Sequence, residues 1–205
     1  MSVLRRIVRF ELDLYLAVTR WITRRPHVPA GSTAWGYSRM VTPVMWLWIL
    51  ACAIEVPLVH VLTPWPAVRI GLLAVSVWGL AWMIGMLASL KVYPHLTDRE
   101  GLRVRHGKRA DVHIPWAAVA SVTTVDRDLP SSLRTFQPLE TDAGIDLQIG
   151  VSARANVHAV LTEPRAVSTP KGPVTISALT FLVDEPREYA AAARRAIEPR
   201  RTERA

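Results

Sequence analysis

Two stretches of almost unbroken apolar residues dominate the first half of the chain, VTPVMWLWILACAIEVPLVHV at 41–61 and AVRIGLLAVSVWGLAWMIGMLASL at 67–90. Each exceeds the ~20 helical residues that cross a bilayer core of ~30 Å. Between them LTPWP, 62–66, carries two prolines that stop one helix and restart the next, with Trp65 where interfacial aromatics settle. The pattern predicts a transmembrane helical hairpin over 41–90. From Lys91 onward the period changes from helical to alternating. In GLRVRHGKRADVHI, 101–114, Leu102, Val104, Val112 and Ile114 alternate with Arg103, Arg105, Asp111 and His113 around a turn at His106-Gly107-Lys108, the signature of a β-hairpin with one apolar face. Further strands are predicted at 116–125, 144–150, 156–161 and 174–183, with a polar, proline-containing stretch at 126–143.

The last element is helical. Asp184 is placed to cap it, Pro186 falls in its first turn, and Arg194 and Arg195 lie near its C-terminal dipole. Tyr189, Ala193, Ala196 and Ile197 form a narrow apolar stripe that needs a surface to rest on. A basic tail, 199–205, is expected to be disordered.

At the other end, residues 1–25 form a basic amphipathic helix. At 100° per residue Arg5, Arg6, Arg9, Asp13, Arg20 and Arg24 share one side, and Leu4, Ile7, Leu14, Tyr15, Val18 and Ile22 the other. Two readings of it stay open: a helix lying in the headgroup layer with its arginines toward anionic lipid, and a helix packed on the hairpin or the domain. Glu11 and Asp13 interrupt the apolar run that a signal peptide would need. The prolines and glycines of 26–40 read as a connector.

Composition sharpens this picture. Half of the 205 residues are hydrophobic and 20% are charged, with a formal net charge of +8. The cations are spread along the chain instead of forming one stripe, which points away from nucleic acid and toward anionic headgroups. They flank the hairpin at both outer ends, whereas the turn side offers only Arg69, so both termini are expected on the cytoplasmic side of the membrane. Arg103, Arg105, Lys108 and Arg109, with Arg5, Arg6 and Arg9, are the candidate lipid-facing cations. Glu55 is an acidic residue inside a predicted span, where a carboxylate costs a few kcal/mol; a polar contact between the two helices is the favoured role and proton handling the other. Ala81, Gly85 and Ser89 repeat small side chains every four residues, a pattern that lets helices approach closely.

The chemistry-bearing residues form no catalytic signature. The lone Cys52 excludes an intramolecular disulfide. The six histidines are scattered, and no nucleophile elbow, phosphate-binding loop or paired zinc-ligand motif occurs. Glu140, Asp142 and Asp146 lack calcium-loop spacing and read as a solvated loop. No enzyme, metal or cofactor is expected.

The order of these elements, and the run YPHLTDREGLRVRHGK…VHIPWAAVASV with the closing ISALTFLVDEPREYAAAARRA, resembles the bacterial pleckstrin-homology-like membrane proteins, over residues 90–198. The resemblance implies an α+β membrane protein: a two-helix hairpin, then a bent antiparallel sheet or partly open barrel of about seven strands capped by the C-terminal helix, with Trp116 packed under that helix. The domain would span 91–198 on the cytoplasmic face of a bacterial inner membrane. The expected function is that of a non-catalytic adaptor that holds another membrane protein or further copies of itself, with open sheet edges able to accept a strand. The alternatives are a module that binds anionic lipid headgroups and an accessory subunit of a transporter or export complex that uses Glu55.

Overall fold

The structure, a computed structural model, describes residues 3–108, 110–130, 136–169 and 172–202. Two compact units divide the chain: Met1–Pro26 with Met40–Val92, and His27–Arg39 with Tyr93–Ala205.

The first unit is helical. α1 runs Val3–Ile22, α2 Thr42–Leu62 and α3 Pro66–Val92. α2 and α3 have a mean hydropathy of 2.0 and are long and apolar enough to cross a membrane. Their large side chains, among them Trp46, Leu50, Ile54, Leu58, Ile70, Val75 and Trp78, are exposed. The bounds fall within two residues of those the apolar runs predict.

α1 packs on α3. Phe10 meets Trp82 edge-on at 6.0 Å, and Leu14 and Ala17 are buried. At Gly85 a Cβ would fall 2.9 Å from Leu14 Cβ, so the glycine of the small-residue stripe is there to admit α1. The structure shows α1 packed on α3, while Val8, Leu12 and Leu16 on another face stay exposed. Gly85→Val is therefore expected to push α1 off α3. Trypsin should then cut at Arg20 and Arg24 several-fold faster in detergent, and an unchanged rate would show that this contact does not hold the helix.

The second unit contains nine strands among the described residues: β1 Thr33–Trp35, β2 His95–Thr97, β3 Gly101–His106, β4 Ala110–Pro115, β5 Val119–Asp128, β6 Gln137–Thr141, β7 Gly144–Ile149, β8 Arg154–Thr169 and β9 Gly172–Phe181. α4, Pro186–Thr202, closes the chain. The strands form two separate sheets, ordered β1-β2-β3-β4 and β5-β8-β9-β7-β6. β7 and β9 pair in parallel. The expected single antiparallel sheet of about seven strands is thus corrected to an open two-sheet arrangement with one parallel pair. Helix α4 continues through residue 202, past the expected start of a disordered tail at 199; residues 203–205 lie outside the described residues.

The apolar positions of the alternating runs form the shared core. Leu102, Val104, Val112 and Ile114 come from the first sheet, Leu147, Ile149, Val157, Leu179 and Phe181 from the second, and Tyr189, Ala193 and Ile197 from α4. Trp116 opens a short 3-10 turn, Trp116–Ala118, and joins this core, its indole N–H donating to the Asp98 carbonyl at 2.8 Å.

The connector is the largest revision. Residues 33–35 pair with β2, Thr33 opposite Thr97 and Trp35 opposite His95. Trp35 Nε1 donates to Thr97 Oγ1 at 2.8 Å, and the Tyr37 hydroxyl accepts the Gly107 N–H at 2.9 Å. Asp184 is not spent on capping α4; its Oδ1 accepts the Arg39 N–H at 2.8 Å, and its own N–H donates to the Gly36 carbonyl at 2.8 Å. A Cβ at residue 36 would collide with that carboxylate, which explains the glycine.

Candidate functional site

Strand alternation in the second sheet sends Leu147, Val157, Ala159, Leu179 and Phe181 into the core. The residues between them, Asp146, His158, Val160 and Thr180, face the opposite side. Register brings them together: His158 lies directly opposite Thr180 across β8 and β9, and Asp146 on β7 pairs with Ala178 two residues earlier on β9. On β5 the ladder to β8 shifts between Thr124 and Arg127, an irregularity of the kind that re-aims a side chain, and Arg127 reaches the same cluster.

The resulting network can be read proton by proton. The Thr180 hydroxyl donates to the Asp146 carboxylate, 2.9 Å from Oδ1 and 2.8 Å from Oδ2. Having given its only proton, Thr180 Oγ1 must accept from His158 Nδ1 at 2.8 Å. Arg127 Nη1 donates to Asp146 Oδ2 at 3.2 Å from the other side. Asp146 is 2% exposed and Thr180 is fully buried, so the buried carboxylate has a cation and a hydroxyl to satisfy it. Burial lowers the pKa of His158, Asp146 opposes that shift and Arg127 adds to it. The ring is therefore neutral at neutral pH, with its proton on Nδ1.

Beside the network is a cavity of about 380 Å³, lined by Arg127, Asp146 and His158 together with Val160, Leu161, Glu163, Pro164, Ser177 and Ala178. Thr180 lies sealed between histidine and carboxylate, and among the described residues no serine or cysteine side chain is hydrogen-bonded to His158.

Most residues singled out from the sequence lie elsewhere. Arg103 pairs with Asp111 at 3.0 Å. Arg105 is 3% exposed and donates to the His27 carbonyl at 3.0 Å, with Asp111 at 3.7 Å; burial lowers its pKa and Asp111 counters the shift. The expectation that Arg105 faces lipid is corrected: its guanidinium is buried against the His27 carbonyl, while Asp111 and His113 on the same face of the hairpin stay exposed. Lys108 is exposed, and Arg109 lies outside the described residues. Arg5 and Arg9 are exposed on α1; the side chain of Arg6 lies outside the described residues. Glu55 is exposed on α2. Ala81 and Ser89 are partly buried and Gly85 is buried. Asp146 belongs to a strand and not to a solvated loop. Its signal in the sequence was a carboxylate alternating with Ile145, Leu147 and Ile149, the pattern of a strand with a polar second face.

Fold and site together describe an α+β protein with two apolar helices and a two-sheet domain that carries a cleft walled in part by Arg127, Asp146 and His158. Comparison with known proteins found no matching family, no similar characterised protein and no similar solved structure.

Proposed function

We propose that the chain is a non-catalytic integral membrane protein that presents a pleckstrin-homology-like domain at the cytoplasmic face and acts there as an interaction adaptor, with the cleft beside His158 as its recognition site. The observation that carries this reading is the Asp146–Thr180–His158 network: through the buried Thr180 hydroxyl, a buried carboxylate fixes an imidazole on the wall of a cavity. Such preorganised polar groups in an otherwise apolar pocket set the orientation of a bound partner. Two residues separate α3 from β2, so a partner held by the domain stays close to the membrane anchor.

Strand addition, the first mechanism expected of an adaptor, is disfavoured by the edges of the five-stranded sheet. β6 carries Pro138, which has no N–H to offer a new strand. β5 is interrupted by two register shifts, and Arg194 Nε donates to its Val122 carbonyl at 3.4 Å. The cleft is the better-formed recognition surface.

A photo-reactive amino acid placed at Ser177 on the cleft, or at exposed Leu139 on β6, separates the two mechanisms in native membranes. Macromolecular adducts are expected from position 177 and not from 139. Adducts from 139 alone would favour strand addition, and their absence from both positions would remove the adaptor reading.

A further inference from the structure

We infer that the cleft beside His158 is a receptor for an uncharged carboxamide, the group that a partner polypeptide offers from its backbone or from an asparagine or glutamine side chain. The inference rests on the adaptor reading for its biological source, but its chemistry comes from the cleft alone.

His158 Nδ1 is committed to Thr180 as a donor, which leaves Nε2 as an acceptor with no protein partner among the described residues. On the neighbouring strand Arg127 uses Nη1 on Asp146. Its side chain is 42% exposed, and a guanidinium has five N–H donors in a planar fork. The wall thus offers an acceptor and a set of donors. A carboxamide is the smallest common group that answers both, its N–H directed at Nε2 and its C=O at the guanidinium.

Hydrogen-bonding capacity selects against the alternatives. The titratable groups lining the cleft are Arg127 on β5, Asp146 on β7, and His158 and Glu163 on β8. Arg127 and Asp146 neutralise each other. An incoming carboxylate would meet Asp146 and Glu163 and has no proton to give Nε2; an incoming ammonium could approach Glu163 and Nε2 but has no acceptor for the Arg127 donors. Neither ion answers both the acceptor and the donors. Val160, Leu161, Pro164 and Ala178 supply apolar walls for the aliphatic carbons beside the amide. A site built to hydrogen-bond both ends of a group rejects analogues that leave one of its polar atoms unpaired.

The test uses the full chain in lipid nanodiscs with ¹⁵N-labelled histidine, reading the His158 Nε2 resonance against three probes that share one aliphatic body: butyramide, butyrate and butylammonium. Butyramide is expected to shift the resonance at a concentration at least tenfold below either ion. N-methylbutyramide, a backbone-like secondary amide, is compared with butyramide, the side-chain-like primary amide, and the tighter of the two names the source. Protonation turns Nε2 into a donor, so the response should fade on acidification. His158→Gln, followed by equilibrium dialysis of labelled butyramide, keeps an acceptor without a titrating proton and should bind with little dependence on pH. Arg127→Gln should weaken binding about tenfold. Equal or tighter binding of butyrate or butylammonium, no response to either amide, or an acid response unchanged in His158→Gln would each overturn the inference. Adducts at Ser177 with no amide response would leave the adaptor reading standing and remove this one; an amide response without adducts would do the reverse.

Discussion

Lowering the pH from 6.5 towards 3 is expected to destabilise the two-sheet unit by about 1.4 kcal/mol per pH unit for each histidine that charges on unfolding. His95 is the principal one. It is buried at the end of β2, where Nδ1 accepts the Arg105 N–H at 3.0 Å. That bond places the ring proton on Nε2, which donates to the Leu182 carbonyl at 2.9 Å. The ring stacks on Tyr37 at 4.4 Å and meets Phe181 edge-on at 5.4 Å. Both nitrogens are used by the neutral tautomer, and a second proton would confront a backbone N–H. Burial lowers the pKa of His95 to about 3; the Leu182 carbonyl opposes the shift, while His106 and Arg105 add to it.

The sign follows from which state holds the proton. Above the ordinary value of 6.5 neither folded nor unfolded His95 is charged, and it contributes no slope. Between 6.5 and about 3 only the unfolded chain is protonated, so stability falls as the pH falls; below that window both states are charged and the slope disappears. His106 and His158 are shifted in the same direction by burial and steepen the upper part of the loss. Denaturant unfolding of the detergent-solubilised chain at pH 7 and pH 4.5, followed by tryptophan fluorescence, measures it. His95→Leu should be less stable at pH 7, since it orphans two buried backbone groups at ~1–3 kcal/mol each, yet its stability should fall with acid by one proton less. Equal stability of the parent chain at the two pH values would refute the argument.

Asp146→Ala is expected to cost the same unit roughly 3 kcal/mol, the loss typical when one partner of a buried polar network is removed. The Thr180 hydroxyl would lose its acceptor, and Arg127 its anchor. Arg127 can turn to water, because its side chain is 42% exposed; Thr180, fully buried, cannot. Most of the penalty therefore comes from the hydroxyl and from the imidazole it orients, and Thr180→Val combined with Asp146→Ala should cost less than the sum of the two single substitutions. Asp146→Asn keeps an acceptor for Thr180 and should fall between alanine and the parent. Chemical denaturation of the four variants checks the order, and strict additivity would mean that the residues do not act as one network.

The expected hairpin at 101–114, the late helix and the core position of Trp116 match what the structure contains, because each has a buried apolar face and burial writes period into neighbouring residues. Strands β1, β6 and the outer half of β8 went unread. β6 is an exposed edge from Pro138 to Thr141, and much of β8 from Thr162 to Arg165 is exposed as well, so nothing there required alternation. In β3 the alternation was visible but misleading, since Arg105, on the polar face, is buried against the His27 carbonyl.

The chain on its own determined two apolar helices, the change to strands after Lys91 and the closing helix, because helix length, apolarity and amphipathic period are properties of contiguous residues. Tertiary structure alone decided that α1 rests on α3, that a connector becomes a strand, and that Asp146, His158, Thr180 and Arg127 share one network. Those outcomes depend on partners far apart in sequence: 34 residues between Asp146 and Thr180, 78 between His27 and Arg105. Strand register, set by the packing of the whole sheet, selects such partners, and no local pattern encodes it.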